Sequence, residues 1–104
     1  MRRQGFKMFL KPGHEAEYER RHREIWPELQ ELLRGAGVRN YSIFLDRSTG
    51  TLFAYQEVEG EQGSQDLGST EIVQRWWAYM ADIMETNPDH SPVSVPLDDV
   101  FYMP

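Results

Sequence analysis

The chain contains no cysteine. That excludes a disulfide framework, thiolate nucleophiles and iron–sulfur ligation, and it fits a reducing cytoplasm. Long apolar runs are missing too. No stretch approaches the roughly 20 apolar residues of a membrane span, and Met1-Arg2-Arg3-Gln4-Gly5 has a positive start with no apolar segment behind it. Neither a transmembrane helix nor a signal peptide is expected. Positive charge is in deficit: a net charge of −6 argues against a nucleic-acid backbone as partner. The basic cluster Arg20/Arg21/Arg23 is interleaved with Glu17, Glu19 and Glu24 at helical pair spacings, which reads as a solvated, ion-paired helix face.

Several chemistries are absent as well. Gly60-Glu61-Gln62-Gly63 lies in acidic sequence without the Lys-Ser/Thr of a phosphate-binding loop, and there is no Gly-x-Ser-x-Gly elbow. His14 and His22 lie roughly 12 Å apart along a helix, too far to chelate one ion, and His90 sits in a proline-flanked loop. Neither a metal nor a cofactor is expected.

What remains is a single domain spanning 1–104, with bulky rings supplying much of its buried area. Phe6–Leu10 reads as a strand closed by Pro12-Gly13. A helical pattern runs from about His14 to Arg34 and breaks near Ile25–Trp26, where Pro27 opens a second segment. Val38–Asp46 and Leu52–Glu59 form a hairpin, with Tyr41, Ile43 and Leu45 on one side of the first strand. Gly60–Gly68 is a loop or a poorly formed turn of helix, and Ser69-Thr70 offers an N-cap for a helix whose apolar positions run from Ile72 to Met84. Val100–Met103 reads as the last strand. The order strand–helix–strand–strand–helix–strand is an α+β, ferredoxin-like split βαβ (βαββαβ) pattern: an antiparallel sheet with helices on one face. Several strands are apolar on both sides, so the second face needs a cover, either a second subunit or a ligand cavity under the long C-terminal loop, with a homodimer as the default.

One segment carries acid–base potential. At about 100° per residue, His22 falls inside the stripe formed by Tyr18, Ile25, Leu29, Leu32 and Leu33, one turn after Tyr18 and one before Trp26. A core histidine satisfied by one backbone bond is the competing reading. Trp76 and Trp77 are adjacent on their helix: one can face the core while the other lines an edge, or both can be core. Indoles with tyrosine hydroxyls nearby form the kind of wall a pyranose prefers, since its C–H face lies flat on a ring while its hydroxyls need polar tips such as Tyr18 and Tyr41.

These residues also resemble a family. Arg21-His22, Ile25-Trp26-Pro27-Glu28-Leu29 and Asn40-Tyr41-Ser42-Ile43 are similar to the first half of the L-rhamnose mutarotases. Gln74–Met80, Asn87-Pro88-Asp89 with Ser91-Pro92-Val93, and Val100-Phe101-Tyr102 with Pro104 are similar to the second half. The resemblance covers essentially the whole chain. It implies interconversion of the α and β anomers of L-rhamnose, a dimeric α+β barrel, no cofactor and no metal. It further implies that His22 is the proton donor and that Tyr18, Tyr41, Trp76 and Trp77 contact the sugar. Two places depart from the family pattern: Gly60–Gly68 is richer in glycine, and His90 stands where asparagine is typical. Both bear on sugar preference more than on reaction type. Two other functions share these features. A cofactor-free monooxygenase-like dimeric α+β barrel would consume oxygen, and a non-catalytic sugar- or metabolite-binding module would keep its binding in His22→Gln.

Overall fold

The apolar pattern and its breakers set the element boundaries in the computed structural model, which describes Met1–Pro104. Strand β1 (Arg2–Phe9) buries Phe6 and Met8 on one side. Helix α1 (Glu15–Arg23) carries Glu15 and Glu17 in its first turn and Arg20 to Arg23 in its last, the charge order that complements a helix dipole. Trp26 is extended, with φ −63° and ψ 129°, as the residue before a proline must be, and Pro27 opens helix α2 (Pro27–Gly35). The expected interruption is therefore present and turns the chain between the two helices. Gly37 follows with φ 98°, a left-handed conformation that glycine adopts without a Cβ clash.

Strands β2 (Val38–Asp46) and β3 (Thr51–Val58) form the hairpin. Their register slips between Arg39 and Ser42, so that Asn40 and Tyr41 together face Gln56. Asn40 sits at φ 49°, one of the few side chains that tolerate this region. This bulge changes which residues face inward. Val38 is buried, and a regular strand would continue the inner row through Asn40 and Ser42. With one extra residue, Tyr41, Ile43 and Leu45 turn inward instead.

After a short 3₁₀ turn (Ser64–Asp66) comes helix α3 (Glu71–Met80), then a third stretch ending in strand β4 (Val95–Leu97). The sheet order is β2-β3-β1-β4, with every neighbouring pair antiparallel. This is an α+β fold of one four-stranded antiparallel sheet and three α-helices. The core lies on one face of the sheet, where Phe6, Met8, Leu52 and Ala54 meet Val73, Trp76, Trp77 and Met80. The opposite face is open: Phe44, Phe53, Val95 and Leu97 are all exposed, Phe44 to 66 %.

Four expectations need correction. The last strand is Val95–Leu97, paired with Gly5–Lys7, and Val100–Met103 is exposed and unpaired. Pro96 made the true strand look like a loop, yet an edge strand tolerates proline because its outer side bonds to no neighbour. Helix α3 stops at Met80 rather than Met84; beyond it Lys11 N bonds Ile83 O and Glu85 N bonds Phe9 O, so the chain peels away along β1. Thr70 occupies the N-cap position, but its hydroxyl donates to Leu67 O and does not cap the helix. Arg21, finally, is buried rather than solvated. It bonds Asp82 through two nitrogens at 2.8 and 3.2 Å, Tyr79 O at 2.8 Å and Glu17 at 2.7 Å, pinning α1 to the end of α3.

Candidate active site

Helix α1 brings Tyr18 and His22 one turn apart, with their rings 4.2 Å centre to centre and tilted by 30°. His22 Nδ1 lies 3.1 Å from Tyr18 O. A carbonyl only accepts, so Nδ1 carries a hydrogen and donates it there. Nε2 is left as the ring nitrogen available for other chemistry. The other edge of the imidazole meets Trp76, 5.5 Å away at 86°, and Trp26 meets Trp76 in a similar edge contact at 5.1 Å. Trp26 also stacks on Tyr79, which in turn lies 4.4 Å beneath the Arg21 guanidinium. The stripe seen in the sequence thus becomes an aromatic lattice that fixes the His22 ring from two sides.

Helix α3 supplies Trp76 and Trp77, each only 8 % exposed. The sequence left open whether one indole was core and the other an edge. Both belong to the core cluster, and both also line the same cavity. Trp77 lies against Gly68, where an added Cβ would come within 2.7 Å of the indole ring, so glycine permits that close approach. The bulge in β2 sends Tyr41 to the same place. Tyr18, His22, Tyr41, Trp76 and Trp77 are therefore gathered around one cavity of about 860 Å³, a size typical of small-molecule sites.

Burial sets the protonation states. It lowers the His22 pKa below 6.5, against the opposing effect of the bond to Tyr18 O. Burial likewise raises the phenols of Tyr18 and Tyr41, the latter against the opposing effect of the neighbouring Ser64 and Gln65 side chains. At neutral pH the cavity thus presents a neutral imidazole and two protonated phenols. These three groups can hydrogen-bond an uncharged polyol, while charged side chains including Glu19, Arg23 and Arg47 line other parts of the same cavity. Nearby on the surface, exposed Glu17 is held at about 2 by bonds from Arg20 and then Arg21.

Not every residue singled out in the sequence reaches the cavity. His90 is exposed in the Asn87–Ser91 turn at φ 71° and lies off the cavity wall. No three His, Asp or Glu side chains gather at a metal-binding spacing. Sequence reasoning missed Ser64 and Gln65, which line the cavity beside Tyr41. Their only local signal was polarity in a glycine-rich stretch, which reads as an ordinary loop.

Comparison with known proteins follows the same line. A family model described as L-rhamnose mutarotase matches residues 3–103. An L-rhamnose mutarotase of Bacteroides thetaiotaomicron is 67 % identical over 103 residues, covering 99 % of both chains. The crystal structure of L-rhamnose mutarotase FA22100 from Formosa agariphila superimposes with a TM-score of 0.94 at 53 % identity, covering 100 % of each chain. An antibiotic biosynthesis monooxygenase superimposes with a TM-score of 0.58 at 19 % identity over 94 % of this chain and 97 % of its own, a likeness of fold alone. With matches of this identity along its full length, the chain belongs to the L-rhamnose mutarotase family.

Proposed function

We propose that this protein is an isomerase that interconverts the α and β anomers of L-rhamnose. In this reading His22 moves the proton at the hemiacetal, and Tyr18, Tyr41, Trp76 and Trp77 hold the sugar. The observation that carries the reading is a neutral imidazole with one uncommitted nitrogen, set between a phenol and an indole on the wall of a cavity large enough for a sugar. Ring opening requires the anomeric hydroxyl to lose a proton while the bond from the anomeric carbon to the ring oxygen breaks and that oxygen gains one. Rotation about one carbon–carbon bond and closure by the reverse transfers complete the exchange. Neutral His22 takes the anomeric proton and, as imidazolium, gives one to the ring oxygen. In closure it takes the proton back from that oxygen and returns it to the carbonyl oxygen, so the imidazole ends each half neutral. Reactant and product have the same oxidation state, and opening and closure are driven by proton transfer, so the chemistry calls for no redox cofactor and acid–base groups suffice without a metal.

The same reading extends to the whole molecule. The chain is one domain, 1–104, with the split βαβ order of a ferredoxin-like fold, and its open sheet face closes against a second copy as a dimeric α+β barrel. The site of action is the cytoplasm; no helix is long and apolar enough to cross a membrane.

Magnetisation-exchange NMR between the two anomeric protons of L-rhamnose tests the function directly. The expected result is faster exchange with protein than without, undiminished by a chelator. His22→Gln should lower the catalysed rate by about 10²- to 10⁴-fold with the fold retained, the usual contribution of a positioned proton-transfer group. Near wild-type exchange in that variant would remove His22 from the mechanism.

A further inference from the structure

The bulge that aims Tyr41 into the cavity is also the anchor of a buried polar chain. Gln56, opposite the bulge, is 1 % exposed, and its two amide ends are both committed. Its Nε2 donates to Gln4 Oε1 at 3.1 Å, and its Oε1 accepts from the backbone of Ser64 at 3.2 Å. The turn so held is closed by Gly63 N bonding Asp66 Oδ2 at 2.8 Å. A Cβ at 63 would lie 2.5 Å from Gln4 Oε1 and 3.0 Å from Gln56 Nε2, so any larger residue would have to displace these amide ends. The glycine-rich stretch is therefore a clamped turn whose next two side chains, Ser64 and Gln65, enter the cavity wall.

Their hydrogen-bonding leaves specific capacity over. Gln65 Nε2 donates to Ser64 Oγ at 3.2 Å, and both side chains stand beside the Tyr41 phenol on the cavity wall. Tyr41, protonated at neutral pH, presents an O–H donor on the same stretch of wall. Gln65 Oε1 has no partner within the protein, which makes it an acceptor beside that donor. A donor and an acceptor side by side on the wall match the two faces of a single sugar hydroxyl.

We infer that Gln65, supported by Ser64, is a specificity-determining residue of this site: with Tyr41 it binds one ring hydroxyl of the sugar and selects its configuration. This rests on the mutarotase reading and goes beyond it by assigning a third polar contact. Gln65 is half-exposed and ties down no other element, so its near-isosteric, non-bonding replacement Gln65→Met should fold. Ser64→Ala provides a second, smaller perturbation of the same corner.

Exchange rates are to be compared for L-rhamnose, its single-hydroxyl epimers 6-deoxy-L-talose and 6-deoxy-L-glucose, and L-lyxose, which keeps all ring hydroxyls but lacks the methyl. The wild-type protein should favour L-rhamnose over at least one epimer. In Gln65→Met that preference should shrink by about 10- to 100-fold, the effect of one lost hydrogen bond at a buried site, while the ratio of L-rhamnose to L-lyxose stays unchanged. Ser64→Ala should move the same ratio in the same direction by a smaller factor. An unaltered epimer preference in both variants overturns the inference. So does an equal loss for all four sugars, which would make the corner a support for the reacting groups and not a selector. A wild-type protein that accelerates no rhamnose exchange would instead remove the underlying reading, and this inference with it.

Discussion

At the scale of single residues, the decisive feature is the state of His22. Its Nδ1 proton is spoken for by Tyr18 O, and burial holds its pKa below 6.5. The sign of the resulting pH dependence follows. If neutral Nε2 takes the first proton, kcat/KM for anomer exchange should be level from about pH 7 upward to pH 8, and should fall with acid through a midpoint below the ordinary value of about 6.5. Exchange measured in a buffer series, corrected for the spontaneous reaction, checks this; a midpoint at or above 6.5 would contradict the buried site. The same shift appears in stability. The unfolded chain binds the His22 proton more readily, so this group's contribution is unchanged above about pH 6.5 and becomes increasingly unfavourable as pH falls toward the folded pKa. The sequence indicated that an imidazole faced an apolar stripe, because helical spacing alone puts it there. It could not indicate that Arg21, one residue earlier, is buried as well, since its partner Asp82 stands at a remote position that only the tertiary fold brings near.

At the scale of elements, local rules account for most boundaries, and exceptions mark the site. Pro27 splits the first helical segment where its chemistry requires. The β2 bulge had no such advertisement beyond an asparagine in a strand, yet it decides which face Tyr41 occupies. Asn40 at φ 49° should therefore be sensitive to branching. Asn40→Val should cost about 1–2 kcal/mol, the penalty for forcing a side chain with a branched Cβ into the left-handed region, whereas Asn40→Gly should be close to neutral. Urea unfolding of the two variants measures the difference, and equal midpoints would mean that the bulge relaxes at no cost. Strand β4 escaped the sequence reading for the opposite reason. A three-residue edge strand containing proline has too little pattern to register, and only pairing with Gly5–Lys7 reveals it. The Ser64–Gln65 corner was illegible likewise, since its meaning lies in Gln56 across the sheet and not in its own sequence.

At the scale of the whole molecule, the two faces of the sheet have different fates. One is covered by helices, while the other shows Phe44, Phe53, Val95 and Leu97 to solvent with the apolar end of the chain beside it. Arg3 joins these parts, bonding Asp99 and lying 4.0 Å over the Tyr102 ring. Association through this face should bury more than about 1,000 Å² in total and give a dimer at micromolar concentration in sedimentation. Phe44→Glu should shift that equilibrium to monomer by placing a charge in the apolar patch; a monomeric wild-type protein would show that the face needs no second copy. Meanwhile the covered face shares much of its scaffold with its cavity, because Trp76, Trp77, Val73, Leu52 and Met8 are core and wall at once. Descendants of such a chain have little freedom to change those rings, as any new shape for a ligand is also a defect in folding. Divergence toward other sugars is channelled into the clamped turn, where side chains exchange hydroxyl preferences without touching what holds the molecule together.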